Sequence, residues 1–179
     1  MKDTKFLKYN DLVSKIQDLY DKYYGDSEVK HIEIGVAFET VAAYFLEKRF
    51  GLKDITMDAI HILESIKGID LESIKGIDLV LSQDDGRRWC VAQVAEHYGS
   101  GEELSRGTIE EFIRGSQELN IEADKRYLVL LGCPLSDEEW EDFSDEIGHI
   151  ITDNNMREVF DWEPCWRVIK DVVEHGGEY

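Results

Sequence analysis

The sequence predicts an α/β fold in three layers, a central mixed sheet flanked by helices. Three observations carry that prediction. The runs Gly76-Ile77-Asp78-Leu79-Val80-Leu81 and Arg87-Arg88-Trp89-Cys90-Val91-Ala92-Gln93-Val94-Ala95 flank the polar turn Ser82-Gln83-Asp84-Asp85-Gly86. Apolar, β-branched runs on either side of an Asp-Gly turn are the signature of a β-hairpin. Tyr127-Leu128-Val129-Leu130-Leu131-Gly132 is continuously apolar, as a strand buried on both faces must be. The remaining segments carry apolar residues at three- and four-residue steps, the helical period. Strands that need cover on both faces, alternating with amphipathic helices, assemble as layers.

In chain order, residues 3–24 are the first expected helix, with Phe6, Tyr9, Val13, Ile16, Tyr20 and Tyr23 on its stripe and Gly25-Asp26-Ser27 ending it. A second helix is expected over about 34–50, where Phe38, Val41, Ala42, Phe45 and Leu46 form one stripe and Gly51 follows as the C-cap. Residues 52–63 are ambiguous, with a short strand around Ile55. The hairpin comes next, then a Gly-, Ser- and Glu-rich loop from His97 to Gly107. Thr108 is the expected N-cap of a helix to about Ile121, with Glu111 at the capping-box position. After the apolar strand, Ser136 caps an acidic helix with Trp140 and Phe143 facing inward. A last strand is expected near 156–162, and Glu163–His175 is a terminal helix with Pro164 in its first turn.

The length, 179 residues, fits one domain, with 1–30 an N-terminal helix, 31–145 the core and 146–179 a C-terminal strand and helix extension. Hydrophobic residues make up 42%, enough for a packed core. No apolar run reaches the roughly 18 residues a membrane span needs, and no apolar stretch follows Met1-Lys2-Asp3-Thr4-Lys5 to make a signal peptide. Three scattered cysteines, Cys90, Cys133 and Cys165, read as reduced thiols of a cytoplasmic protein. The formal net charge is −19, unusual for a protein that binds DNA by itself. Either the acidic residues lie on a solvated face behind a local basic patch (Arg87, Arg88, Arg106, Arg114), or nucleic acid is reached through another domain, a dimer surface or a partner.

Glu64-Ser-Ile-Lys-Gly-Ile-Asp-Leu71 is followed at once by the identical Glu72-Ser-Ile-Lys-Gly-Ile-Asp-Leu79. Eight residues are too few for a solenoid repeat. Only the second copy runs into Val80-Leu81 and the hairpin turn, so Asp78 rather than Asp70 is the aspartate expected at the strand.

Asp78 at the start of the first hairpin strand and Gln93, fifteen positions on in the second, resemble the hairpin of PD-(D/E)xK nucleases, and the Mrr-like restriction endonucleases in particular. The resemblance covers roughly residues 35–145 and implies a restriction-endonuclease-like fold and a DNA endonuclease dependent on Mg2+ or Mn2+. It implies metal ligation by Asp78, Gln93 and the backbone carbonyl of Val94, joined by Glu39 from the second helix. These hard oxygen donors suit such cations, which polarise a phosphate and acidify water. It also brings the loop after the hairpin to DNA, with His97, Ser105, Arg106, Thr108 and Arg114 as phosphate contacts. The implied partners are DNA and either a second copy or a helicase- or methyltransferase-type protein.

The motif position that carries the family's lysine is Ala95. A methyl group can neither orient water nor stabilise phosphorane charge, and loss of such a group typically costs on the order of 10² to 10³ in rate. Three accounts compete: an introduced knock-out, a fold kept for binding after its chemistry was lost, or a cation supplied from elsewhere, by Lys75 or Lys125. The alternative function is therefore a catalytically dead nuclease-fold module that binds other proteins. Trp140, Trp162 and Trp166 read as core. No P-loop, dinucleotide fingerprint, zinc spacing or nucleophile elbow is present.

Overall fold

The computed structural model describes residues 6–25, 27–68, 70, 76–83, 88–98, 104–157 and 161–175. Within them a five-stranded sheet runs in the order β1-β2-β3-β4-β5. The strands are β1 (Lys53–Asp54), β2 (Leu79–Gln83), β3 (Arg88–Glu96), β4 (Arg126–Leu131) and β5 (His149–Thr152). The first three pair antiparallel and the last two continue parallel, so the sheet is mixed. The helices are α1 (Tyr9–Tyr24), α2 (Val29–Phe50), α3 (Thr56–Ile62), α4 (Arg106–Glu118), α5 (Asp137–Phe143), α6 (Asp153–Met156) and α7 (Glu163–His175).

Period-two alternation along the strands divides the core between the two faces. Leu79, Leu81, Cys90, Ala92, Tyr127 and Val129 pack with Leu12 and Ile16 from α1, Phe38, Val41 and Phe45 from α2, and Trp162 just ahead of α7. Val80, Val91, Ala95, Leu128 and Leu130 pack with Ala59, Ile109, Phe112 and Phe143 from α3, α4 and α5. Every residue of β4 is buried, as its unbroken apolar run requires. Arg126 is held there by donating to the carbonyls of Ile121 and Glu146. Among the described residues, no helix is long and apolar enough to cross a membrane.

Several local expectations are corrected. The first helix begins at Tyr9, leaving Phe6 ahead of it and 52% exposed. The ambiguous segment is a two-residue edge strand followed by α3, because Asp54 accepts from the Thr56 N–H and hydroxyl and turns the chain. Ser105, not Thr108, caps α4: its hydroxyl accepts the Thr108 N–H at 3.3 Å. The fifth strand is residues 149–152, where Ile150 and Ile151 pair with Leu128 and Val129, and 153–156 are helical. The rest of the segment expected as the last strand includes 158–160, outside the described residues. Trp140 is 41% exposed, and only Phe143 of α5 is buried.

The described residues of the duplicated octapeptide lie in different surroundings in its two copies. Its first copy continues α3 as a π-helical turn, Leu63–Lys67, with Gly68 in open space. In the second copy Gly76 has φ +88 and lies against the backbone of Glu111 and Phe112, where a Cβ would sit 2.7 Å from the Phe112 nitrogen. Leu79 then enters β2, buried.

Candidate functional site

The hairpin register brings the two motif residues together. Leu79 pairs with Ala92, and the Asp78 N–H donates to the Ala92 carbonyl at 2.9 Å. One further step of the same register sets Asp78 across from Gln93. The Asp78 carboxylate also accepts the Val94 N–H at 2.7 Å. Burial pushes the Asp78 pKa up, and that hydrogen bond opposes the rise.

Glu39 arrives from the middle of α2, one residue after the fully buried Phe38. Its pKa is pushed up to about 7, first by burial, then by the neighbouring carboxylates of Asp78 and Asp54. Asp54 is a site neighbour that the sequence reading missed. Its local signal is the Asp-x-Thr turn into α3, which marks a helix start and says nothing of a neighbour fifteen residues back.

Glu39, Gln93, Val94 and Ala95 line one cavity of about 480 Å3, together with Glu96, His97, Ser105 and Thr108. The cavity lies at the C-terminal end of β3 and is closed on one side by the start of α4. Gln93 Oε1 is itself buried and accepts no hydrogen bond. Such an orphan costs about 1–3 kcal/mol unless something donates or coordinates to it. The donor types, two carboxylates, an amide oxygen and a main-chain carbonyl, fit a hard cation such as Mg2+ or Mn2+. Among the described residues, no three His, Cys, Asp or Glu side chains gather closely enough to form a metal centre by themselves. A cation at this place would therefore draw on Gln93, main-chain and water oxygens as well.

The opposite wall offers hydrogen-bond donors. Ser105 Oγ and Thr108 Oγ1 lie 2.7 Å apart at the first turn of the 13-residue α4. A helix N-terminus carries partial positive charge and favours an anion. His97 follows directly from β3, its N–H donating to Leu131 O at 2.9 Å and its Nδ1 3.2 Å from Cys133 Sγ.

The expected arginines are elsewhere. Arg106 is bound to Asp142 at 2.8 Å and lies over the Phe143 ring, drawn to α5 rather than to the cavity. Arg114 is exposed eight residues along α4, about 12 Å from its start at 1.5 Å per residue. Arg88 begins β3, at the hairpin end away from Asp78, and Arg87 lies outside the described residues. Of the two candidate substitute cations, Lys125 sits beside Cys90 at the start of β4, the end remote from the cavity, and Lys75 lies outside the described residues.

In comparison with known proteins, the chain matches no family model, no curated protein and no solved structure.

Proposed function

We propose that the chain is a divalent-metal-dependent DNA endonuclease of the restriction or DNA-processing type, inactive or nearly so because Ala95 stands where the resemblance to Mrr-like PD-(D/E)xK nucleases places a lysine. One observation carries the reading. Gln93, whose amide oxygen is buried with no hydrogen-bond donor, lines a cavity with the half-buried Glu39, near the Asp78 carboxylate and opposite the start of α4. A cation held by Glu39, Asp78, Gln93 and the Val94 carbonyl would supply Lewis-acid polarisation of the phosphate. The chain's own contribution is to place that charge across from the N-terminus of α4, so that a phosphate fits between them. Ala95 is 5% exposed on the cavity wall, on the same strand face as Gln93. A lysine there would extend into the cavity.

The test is Ala95→Lys. Duplex DNA should be cut with Mg2+ or Mn2+ by this variant and far more slowly by the parent chain. A folded Ala95→Lys protein that binds neither metal and cuts no form of DNA rejects the reading.

A second reading is a protein-binding module that has lost its chemistry. It is favoured by the net charge of −19 and by the absence of Lys or Arg among the described residues lining the cavity. Titration with duplex DNA separates the two. Binding that weakens steeply with salt supports the nuclease, and no binding at physiological salt supports the module.

A further inference from the structure

The helix α2 carries two apolar stripes. One, Phe38, Val41, Ala42 and Phe45, is buried in the core. The other, Val29, Ile32 and Val36, recurs at three- and four-residue steps and is exposed, Ile32 to 69%. At about 100° per residue, Val36 lies roughly 160° around the helix from Phe38, on the outer side. A helix that is apolar on both sides is expected to be covered on both. The outer stripe meets other apolar residues. Val36 and Ala37 of α2, Val168 and Val172 of α7, and Tyr20 and Tyr24 of α1 line a groove of about 330 Å3. Val168 is 54% exposed. Single apolar side chains at a surface need no explanation, but a groove where three helices present them together does. Among the described residues, its charged lining is one carboxylate, Glu33. The cations on these helices near the groove are matched to carboxylates: Lys30 to Asp21, Arg167 to Glu163 at 3.5 Å and Lys170 to Glu174 at 4.0 Å. Glu28, Glu33 and Asp171 then leave the helix surfaces around the groove with an excess of negative charge.

We propose that this groove docks a cationic amphipathic helix of another protein, its apolar face seated between α2 and α7 and its Lys or Arg side chains over Glu33 and the acidic rim. Charge decides among the occupants. A second copy of the chain brings its own net charge of −19 and its own Glu33, so like charges meet at the contact. An anionic lipid surface is repelled by the same carboxylates, since such surfaces attract basic segments. A cationic helix gains at the apolar floor and at the rim together. The groove and the cavity that contains Glu39 and Gln93 share no lining residue. The proposal therefore stands independently of the nuclease reading of that cavity.

The experiment uses the full chain and two fluorescently labelled synthetic peptides of about 18 residues, long enough to form a helix. Both carry Leu along one helical face; one has Lys on the other face and the second has Glu. Fluorescence anisotropy at physiological salt compares the parent chain with Val36→Asp, Val168→Asp, Glu33→Lys and Met57→Asp, each checked for folding by circular dichroism. Met57 is exposed on α3, whose core contacts lie on the opposite face of the sheet, so its variant adds the same charge far from the groove. The Lys peptide should bind the parent saturably and the Glu peptide should not. Val36→Asp and Val168→Asp should each weaken that binding about tenfold or more, the loss expected when an anchor contact is spoiled. Glu33→Lys should weaken it as well, and Met57→Asp should not. Attachment by charge alone would hold or strengthen when a carboxylate is added, so a loss in the two groove variants reports apolar seating. No binding of the Lys peptide, equal binding of both peptides, or groove variants that behave like Met57→Asp overturn the proposal. A dimer of the parent in sedimentation that Val168→Asp dissociates also overturns it and gives the groove to a second copy. Binding to phosphatidylcholine–phosphatidylglycerol vesicles that Val168→Asp abolishes overturns it in favour of a membrane.

Discussion

The carboxylate of Asp78 accepts the main-chain N–H of Val94 at 2.7 Å, across sixteen residues of chain. This bond joins the entrance of β2 to the exit of β3 and fixes one carboxylate oxygen. The residue that the motif assigns to metal therefore also holds the hairpin in register. Substitution at Asp78 should therefore have a structural effect besides any on the proposed metal site.

Asp78→Ala should abolish Mn2+ or Mg2+ binding, and Asp70→Ala should leave it unchanged, as read by calorimetric titration. The alanine also leaves the Val94 N–H without its acceptor, which should lower stability by about 1–3 kcal/mol in denaturant unfolding. Metal affinity that followed Asp70 would overturn the site.

The raised pKa of Glu39 makes the metal-free protein sensitive to pH. The carboxyl titrates near 7 when folded and near its ordinary value of 4.5 when unfolded. Between those values the folded state keeps a proton that the unfolded state releases. This contribution to stability is full below 4.5 and is lost as pH rises through 7. Thermal melts without metal should show that decline, and Glu39→Gln should remove its share of the slope.

Removing residues 64–71 should leave a folded protein with the same metal affinity. Glu64, Ser65, Gly68 and Asp70 of the first copy are exposed, so the deletion takes no described buried side chain. Loop closure is also weakly dependent on length. Circular dichroism and a metal titration of the deletion variant are the check. Failure to fold would show that the first copy is structural.

Gly132→Ala should destabilise the fold by more than about 1 kcal/mol, because φ is +62 and the new methyl would strike Tyr98. The Asp153 carboxylate accepts the Tyr98 hydroxyl and, at 2.9 Å, the Gly132 N–H, so Asp153→Asn should loosen the same junction. Faster hydrogen exchange at the His97 and Gly132 amides, with α1 protected as before, is the expected readout. Unchanged exchange would mean that Asp153 does not hold this junction together.

Much of this architecture was legible in the sequence because its signals are local. The hairpin, β4, α2 and α7 each follow from periodicity and turn chemistry within a short window. Asp78 was preferred over Asp70 because only its copy continues into Val80-Leu81. The tertiary structure decided what depends on partners distant in the chain. The strand at 149–152 is too short to announce itself, and its identity comes from pairing with β4. The pairing of Arg106 with Asp142, 36 residues on, is likewise invisible in a window of sequence. Asp54 becomes relevant only when packing of α2 against the sheet brings Glu39 beside it. His97 was read as a phosphate contact from the resemblance, and its bonds to Leu131 and Cys133, which reach it across the sheet, are absent from the sequence. Local propensity sets each element, but which charges meet is fixed by packing between elements, and no window of sequence contains that information.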